Sequence, residues 1–325
     1  MKTDMSHAET APTSPLPRRR IDLVDLARGL ALLAMFVYHF AYDLSHFDLI
    51  ATDVPAHPGW SAFARLIAGS FLTIVGFNLV LATREGLNRP AYFRRLAMVA
   101  GAAALVTIAT WFAMPGSFIY FGILHHIALA SVLALPFLRL PAFVLLLFSA
   151  LFFALPLFPP PQVLDQPWLL WLGFAHISRS TADFVPIVPW FGCVLAGMFL
   201  GKIALAKQGS WSNWQARSFP ARVIAWGGRN SLSVYLLHQP IFIGVLFIVM
   251  RLAVGPEQEA RPFLISCLRS CVSAETSLQV CEKACNCAID GLKREGLWRK
   301  VLSNTLTRDE SARTGSIAGA CFRAP

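Results

Sequence analysis

Long apolar runs recur between residues 22 and 253, and they constrain the fold more than any other feature of this sequence. A helix needs about 20 apolar residues to cross the hydrocarbon core of a bilayer. The composition agrees, because 56% of the residues are hydrophobic and only 14% are charged, whereas soluble domains carry about 25% charged residues. The predicted fold class is all-α, a polytopic membrane helical bundle of about seven transmembrane helices. The predicted spans cover residues 22–42, 61–82, 93–113, 118–138, 141–158, 186–206 and 231–253.

The positive charges alternate from loop to loop. Most Lys and Arg residues before residue 253 lie ahead of the first span or in the loops between spans 2 and 3, 4 and 5, and 6 and 7. The other loops contain almost none. Cytoplasmic loops of membrane proteins are enriched in these residues. The pattern predicts a multi-pass protein of the bacterial inner (plasma) membrane with a cytoplasmic N-terminus. An odd number of spans then places the tail outside.

The net charge of +10 follows from these loops and needs no nucleic-acid partner. The sequence contains no G-x-x-x-x-G-K-[ST] phosphate loop and no G-x-G-x-x-G fingerprint, so neither an ATPase motor nor a dinucleotide-binding fold is indicated. No sequence feature indicates an oligomeric state, and the one partner that composition requires is membrane lipid.

The chain divides by composition into four segments. Residues 1–19 are polar and rich in Ser, Thr and Pro, which predicts a disordered N-terminal segment. Residues 20–255 form the predicted membrane domain, residues 256–302 a cysteine-rich helical tail, and residues 303–325 a second disordered segment. Asp22, Asp25 and Arg28 interrupt the first apolar run, so this run is predicted to be an uncleaved span and not a signal peptide.

The first span carries ionisable groups along one face. At 100° per residue, Asp25, Arg28, His39, Asp43 and His46 fall within roughly a 60° arc that extends for roughly 27 Å. Such groups avoid lipid and face a bundle interior or a wet cavity. The stripe therefore predicts one wall of a polar path across the membrane. The alternative is that the two ends of the stripe lie in the headgroup regions and only pair locally.

Other spans carry isolated polar groups that invite a similar interpretation. In the fourth span, His125 and His126 are adjacent and 100° apart, so at most one of them faces a given partner. Either imidazole could face the His39 cavity or simply bond a neighbouring helix. Arg65, near the outer end of the second span, is a candidate for binding an anionic group.

The last span contains a proline inside a polar face. Ser231, Tyr235 and His238 share one side of the predicted helix. Pro240 cannot donate an N–H, so a kink is expected near Leu236. This arrangement predicts either a binding site beside His238 or a kink that serves packing alone.

Six of the seven cysteines follow the last span, and five of them form the pattern Cys267-x3-Cys271-x9-Cys281-x3-Cys285-x-Cys287. Each x3 pair lies on one helix face, which predicts a helical hairpin of about residues 261–272 and 276–291. An outside location would allow disulfides such as Cys267–Cys285 and Cys271–Cys281. Metal binding or free thiols are the alternatives, although the spacing is not that of a zinc site.

Four pieces of the sequence, in order, resemble a known family. They are IDLVDLARGLALLAMFVYHF, HPGW with SFLTIVGFNL, FGILHHIALA and GRNSLSVYLLHQP, and together they cover roughly residues 20 to 250. The chain resembles the heparan-α-glucosaminide N-acetyltransferase catalytic-domain family and its bacterial membrane acyltransferase relatives. The resemblance implies transfer of an acyl group, acetyl or another, from cytoplasmic acyl-CoA to a glycan or other small-molecule envelope acceptor, with no metal.

The resemblance also implies site residues. Arg28 and His39 match an Arg-x10-His spacing of related sugar O-acyltransferases, and His57 to Trp60 matches the His-x-x-Trp of the lysosomal branch. His39 is the favoured catalytic base with Asp43 as its orienter, and His57 is the second candidate. The expected substrate-binding residues are Arg28, Arg65, His125, His126, Tyr235 and His238. Arg84, Arg94 and Arg95 are candidates for the CoA phosphates, since guanidinium forks suit phosphate, or else they only mark the cytoplasmic side.

Two other functions stay open on the sequence alone. A proton-coupled transporter could use His39, Asp43 and His125 as a relay, and a non-catalytic relative could keep the fold. The enzyme predicts His39, His125 and His238 around one cavity with a basic cytoplasmic mouth. The transporter predicts discontinuous helices and no basic mouth.

Overall fold

The structure is a computed structural model that describes residues 21–47, 49–160, 162–164, 166–174, 181–207, 210–253, 260–272 and 277–323. These residues form helices joined by short 3-10 turns, and within them no strand forms beyond one isolated bridge between Phe121 and Phe184. The predicted all-helical class is confirmed. The helices are α1 (Asp22–His46), α2 (Pro58–Thr83), α3 (Arg89–Ala113), α4 (Ile123–Leu133), α5 (Ala142–Ala154), α6 (Ile187–Ala206), α7 (Phe219–Arg229), α8 (Ser231–Ala253), α9 (Arg261–Cys271), α10 (Leu278–Arg294), α11 (Trp298–Leu302) and α12 (Arg308–Arg323).

Five helices of the described chain are long and apolar enough to cross a membrane: α1, α2, α3, α6 and α8. The two remaining predicted spans are shorter. Helix α4 has 11 residues and α5 has 13, which correspond to about 16 and 20 Å against a hydrocarbon core of about 30 Å. Gly122 precedes α4, while Pro141 precedes α5 and Pro156 follows it in a 3-10 turn. These residues punctuate apolar stretches that hydropathy alone reads as continuous spans.

The centre of the bundle is the packing of α2 and α5 against α6. Leu72, Leu145, Leu195 and Met198 are fully buried there. A Cβ atom on Gly76 would collide with the backbone of Val194 in α6, so this glycine permits the close approach of the two helices. Small residues at such crossings are the usual means by which membrane helices pack closely.

A second close crossing holds α1 against α7. A Cβ atom on Gly29 would strike the carbonyl of Ile224, and one on Gly228 would strike the carbonyl of Asp25. The two glycines therefore let the backbones touch from both sides. This contact fixes the N-terminal half of α1, which carries the start of the polar stripe.

Helix α8 packs against α1 and α3. The Tyr235 side chain packs against clusters from both neighbours, including Leu32 of α1 and Ala103 of α3. The outward faces of α3 and α8 stay apolar and exposed; Phe112, for example, is 81% exposed. An apolar exposed face suits contact with lipid.

The tail folds into a disulfide-linked helical module. Cys267 bonds Cys285 and Cys271 bonds Cys281, which are the two pairs named from the sequence, and a third disulfide joins Cys287 to Cys321. The four cysteines that join α9 to α10 therefore form disulfides in the structure and are not free thiols.

The end of the chain differs from the expectation of disorder after residue 303. Residues Arg308–Arg323 form α12. The Glu310 carboxylate accepts the Thr307 N–H at the helix start, and Ile317 packs in the cluster of Ile289 and Trp298. The polar composition of this segment does not predict a helix. The Cys287–Cys321 disulfide and a few apolar contacts hold the helix in place.

Glycine substitutions test the α1–α7 crossing. Gly228→Ala is expected to lower the free energy of unfolding by about 1–3 kcal/mol, because the new methyl group overpacks against the α1 backbone. Gly227→Ala is the matched control, since a Cβ atom there meets nothing within 4 Å. Thermal unfolding of the purified protein in detergent checks both variants. Equal melting temperatures would contradict the assigned crossing.

Candidate functional site

A cavity of about 630 Å³ lies among α1, α2, α3, α4 and α8, and it begins at the N-terminal end of α1. Four arginines line it: Arg28, Arg84, Arg95 and Arg229. Phe71, Leu124 and Tyr235 line it as well, so apolar and aromatic side chains accompany the charged ones. Under the orientation that the flanking charges predict, these arginines lie at the cytoplasmic end of the cavity.

Three of these arginines have partners that hold them in place. Arg28 donates to the Asp25 carboxylate at 3.2 Å and to the Gly228 carbonyl at 2.9 Å. Arg229 lies 3.6 Å from a carboxylate oxygen of Asp22, and Arg84 lies 2.9 Å from Glu85. The Arg28–Gly228 and Arg229–Asp22 contacts tie α1 to the α7–α8 junction.

Arg95 pairs with no carboxylate in the part of the chain that the structure describes. It lies on α3 and faces the same cavity. A guanidinium without a carboxylate partner retains its full capacity for an anionic ligand. Arg95 is therefore the arginine of the cavity best placed to bind a phosphate.

Asn78 of α2 adds a neutral donor to the cavity wall. Its Nδ2 atom is buried and has no hydrogen-bond partner, and the residue lines the cavity between the arginines and Phe71. A buried amide donor normally has a partner, because leaving it unpaired costs about 1–3 kcal/mol. The arrangement suits a ligand that presents a carbonyl or phosphate oxygen at this depth.

Two imidazoles meet at the interface of α1 and α8. The ring centroids of His39 and His238 are 4.8 Å apart, with an interplanar angle of 64°. Phe36 stacks on the His238 ring at 5.8 Å, and Tyr235 lies 5.5 Å from it. None of His39, His125 and His238, which were expected around one cavity, lines the arginine-lined cavity itself. Tyr235 lines it, and the Tyr235 ring links it to His238.

The hydrogen bond of His238 fixes its neutral tautomer. Its Nδ1 lies 2.5 Å from the Tyr235 carbonyl oxygen, which can only accept, so Nδ1–H is the donor. The Nε2 atom then carries the lone pair, and it is buried without a partner. The accepting carbonyl is that of Tyr235 and not that of Leu236, which Pro240 deprives of its intrahelical N–H donor.

Asp43 has a different partner from the one expected. Its carboxylate is 1% exposed and accepts a hydrogen bond of 2.5 Å from the Gln239 amide of α8. No hydrogen bond joins Asp43 to His39 among the described residues, and the Nδ1 atom of His39 has no partner. The amide across the interface binds Oδ1 of Asp43, and Oδ2 is buried without a partner in the described part of the chain.

His57 caps a helix at the surface. Its Nδ1 accepts the Gly59 N–H at 3.2 Å at the start of α2, and the residue is exposed. Trp60, three residues later, lies 6.3 Å from the ring of Tyr38, which in turn is 5.6 Å from His39. The His-x-x-Trp segment thus lies near His39, but the described contacts do not bring the two imidazoles together.

The two histidines of α4 have structural partners. His125 lies 3.0 Å from the Thr107 hydroxyl through Nε2 and accepts the Gly122 N–H through Nδ1. His126 is fully buried and donates from Nδ1 to the Val185 carbonyl. Neither ring lies against His39 or His238 in the described contacts.

Two predicted arginines lie away from the cavity. Arg65 is exposed on α2, and its neighbour Leu66 is 71% exposed. Arg94 is exposed on α3 and does not line the cavity that Arg95 faces. Their positions at the ends of apolar helices account for both residues.

Sequence reasoning missed the roles of several residues. Arg229 and Gln239 lie inside the GRNSLSVYLLHQP segment, which the sequence singled out. Their contacts with Asp22 and Asp43 were not predicted. Asn78 lies in a stretch of small residues that indicates packing. Asp183, in the segment before α6, accepts the Ile123 N–H at 2.8 Å and so caps α4; burial raises the pKa of this carboxyl to about 6, although that hydrogen bond opposes the shift.

The fold is that of a multi-pass helical membrane protein, and it contains a basic cavity beside paired imidazoles. A comparison with known families identifies the family. A family model described as "Heparan-alpha-glucosaminide N-acetyltransferase, catalytic" matches residues 20–240. Since the match covers more than half of the chain, the protein belongs to this family. No curated protein and no solved structure matches the chain.

Proposed function

We propose that the protein is an integral membrane acyltransferase that moves an acetyl group, or another short acyl group, from cytoplasmic acyl-CoA to a glycan or other envelope acceptor. One observation carries this proposal: the arginine-lined cavity reaches Tyr235, and Tyr235 contacts the His238–His39 pair. A donor bound in the cavity would therefore point its acyl end toward two imidazoles.

The cavity matches the chemistry of an acyl-CoA in three ways. Arg95 can pair with phosphate, with Arg84 and Arg229 nearby. The buried Nδ2 of Asn78 can donate to an amide carbonyl of the pantetheine arm. The helix rise puts His39 about 16 Å beyond Arg28 along α1, so an elongated donor is needed to join the two ends.

His39 would act as the general base. It takes a proton from the acceptor hydroxyl or amine as that atom attacks the thioester carbonyl. The C–S bond then breaks, the CoA thiolate leaves, and the imidazolium returns the proton to the sulfur. A transient acyl-imidazole is the alternative route, in which the His39 nitrogen itself attacks the thioester and the acceptor attacks second.

The proposed acceptor enters from the end opposite the arginines. Tyr42 and the exposed His46 stack at 6.0 Å on the far end of α1, and the loop with His57 lies on the same side. Of these groups, Tyr42 contacts the His39 ring, with 6.5 Å between centroids. A glycan hydroxyl or a small amine fits such an entrance.

The arginine-lined cavity argues against the transporter alternative. A proton-coupled transporter was expected to lack a basic mouth, and Pro240 is a single interruption within α8. His125, which a relay through the bundle would use, is already bonded to Thr107 and Gly122. Binding of an acyl-CoA donor gives a role to the cavity arginines and to the Asn78 amide. The transporter alternative gives them none.

The three disulfides support the proposed orientation in the bacterial plasma membrane. Disulfides persist in oxidising compartments and are rare in the cytosol. Arg269 of α9 donates to the Ile50 carbonyl at 3.2 Å, in the loop that follows α1. The tail and the far end of α1 thus lie on one side, outside the cell, while the arginines face the cytoplasm.

Transfer of label from acetyl-CoA tests the proposed function. Membranes containing the wild-type protein are expected to move labelled acetyl groups to an envelope glycan fraction. His39→Ala is expected to lower the rate about 100-fold or more, since a positioned base contributes about 10²–10⁴-fold. His57→Ala is expected to keep most of the rate, because this ring caps α2 at the surface. No transfer by the wild type to any acceptor would refute the function, and the reverse order of the two variants would refute the choice of base.

The donor site is tested with neighbouring arginines. Arg95→Ala is expected to raise the KM for acetyl-CoA about tenfold, the loss of roughly one charge-assisted hydrogen bond of about 1.5 kcal/mol. Arg94→Ala is the matched control, because it removes an adjacent positive charge that does not line the cavity. Steady-state kinetics with varied acetyl-CoA measure both. Equal changes in KM would indicate only a general effect of positive charge.

Labelling of the tail cysteines tests the orientation. After treatment of spheroplasts with an impermeant phosphine reductant, an impermeant maleimide is expected to modify the tail cysteines without lysis. A tail that reacts only after lysis would place it in the cytoplasm and invert the assignment of both ends. Cys193, which lies within α6 and forms no disulfide, serves as the unreactive reference.

A further inference from the structure

We propose that His238 is the positioning residue for His39: it accepts the His39 Nδ1–H through its own Nε2 and so presents the His39 Nε2 lone pair to the acceptor. This inference rests on the proposed function and names the device that orients its base. The proposed chain of hydrogen bonds runs from the Tyr235 carbonyl through the His238 ring to the His39 ring.

The polar atoms of the two rings are complementary. Nδ1 of His39 and Nε2 of His238 are both buried and both without a hydrogen-bond partner. Because Nδ1–H of His238 is committed to the Tyr235 carbonyl, its Nε2 can only accept while the ring is neutral. His39 has a nitrogen that can donate, and the ring centroids are 4.8 Å apart. A rotation of the His39 ring that turns Nδ1–H toward this lone pair would form the hydrogen bond.

Asp43 is the alternative orienter of His39, one turn along α1. Its Oδ1 accepts from Gln239 and its Oδ2 is buried without a partner, but no hydrogen bond joins the carboxylate to His39 among the described residues. Tyr38 and Tyr42 lie edge-on to the His39 ring, at 5.6 and 6.5 Å between centroids. His238 brings a buried acceptor from a second helix, and its ring contacts the His39 ring.

The arrangement also holds His238 in place from every side. Phe36 stacks on one face of the ring, and Phe242 meets it edge-on at 6.0 Å. The Tyr235 carbonyl fixes the Nδ1 end. A ring held by two aromatic contacts and one hydrogen bond is pre-organised, which is the property that a second group behind a catalytic base requires.

The chemistry follows the logic of a base and its orienter. The hydrogen bond at Nδ1 determines which nitrogen of a histidine is the base. As His39 Nε2 takes the acceptor proton, positive charge develops on its ring, and the lone pair of His238 stabilises the charged Nδ1–H. The proton then leaves His39 for the CoA sulfur, so His238 ends the cycle unchanged.

Two substitutions separate this role from simple packing. His238→Phe keeps an aromatic ring between Phe36 and Phe242 but removes the acceptor. It is expected to lower kcat about 100-fold with little change in the KM for acetyl-CoA, because the effect acts through the base. His238→Gln keeps a side-chain acceptor and is expected to recover about tenfold relative to the phenylalanine variant. Leu237→Phe, at a 56% exposed neighbouring position, is the control for changes to α8.

A double mutant shows whether His238 works through His39. In a His39→Ala background, His238→Phe is expected to cause no further loss, since residues that act as one unit are not additive. A loss of the same factor in both backgrounds would overturn the inference. So would equal activity of the phenylalanine and glutamine variants.

A measurement without substrate keeps the inference separate from the proposed function. Solid-state NMR of ¹⁵N-histidine-labelled protein in bilayers, with the His39 signals assigned by their absence in His39→Ala, is expected to show the Nδ1–H tautomer in the wild type. His238→Phe is expected to shift the population toward Nε2–H. An Nε2–H tautomer in the wild type overturns the His238 assignment even if transfer occurs, whereas the expected tautomer without transfer leaves it standing and refutes only the function.

Discussion

The absence of water in the bilayer core is the constraint on which the rest of this structure depends. A polar side chain there must find a partner in the protein, because lipid offers none. Helix α1 carries two buried carboxylates, Asp25 and Asp43, and a guanidinium, Arg28. Their partners come from the α7–α8 region: the Gly228 carbonyl at one end and the Gln239 amide at the other. The need to satisfy α1 therefore determines where the last two helices of the membrane domain must lie.

The histidine pair follows from the same placement. Gly29 and Gly228 bring α1 and α7 into contact, and Gln239 reaches Asp43. The same placement brings the residue before Gln239 against the residue one turn before Asp43. Those residues are His238 and His39. The pairing of polar groups that makes the bundle stable is thus what assembles the site, and no separate element is needed to build it.

The sequence predicts the helices and the polar face well, because both depend on local periodicity. The i, i+4 spacing correctly placed His39 and Asp43 on one side of α1, but it could not show that Gln239, 196 residues from Asp43, would be the hydrogen-bond partner. The lengths of α4 and α5 were overestimated, because hydropathy does not register Gly122, Pro141 or Pro156 as ends. Helix α12 was missed, since its stability depends on the disulfide to Cys287 and not on its own composition.

The distribution of charge along the bundle explains how a transfer across the membrane could proceed without moving a large substrate. Arginines lie at one end of the cavity and Tyr235 at the other, next to the imidazoles. Under the proposed function, the charged part of the donor stays with the arginines and only its acyl end approaches His39. The acceptor stays on the far side, beside the loop that Arg269 binds. The donor site and the acceptor site then need to meet only at His39, and α2 and α6 need not move apart. The close packing of these two helices at Gly76 agrees with such a fixed core.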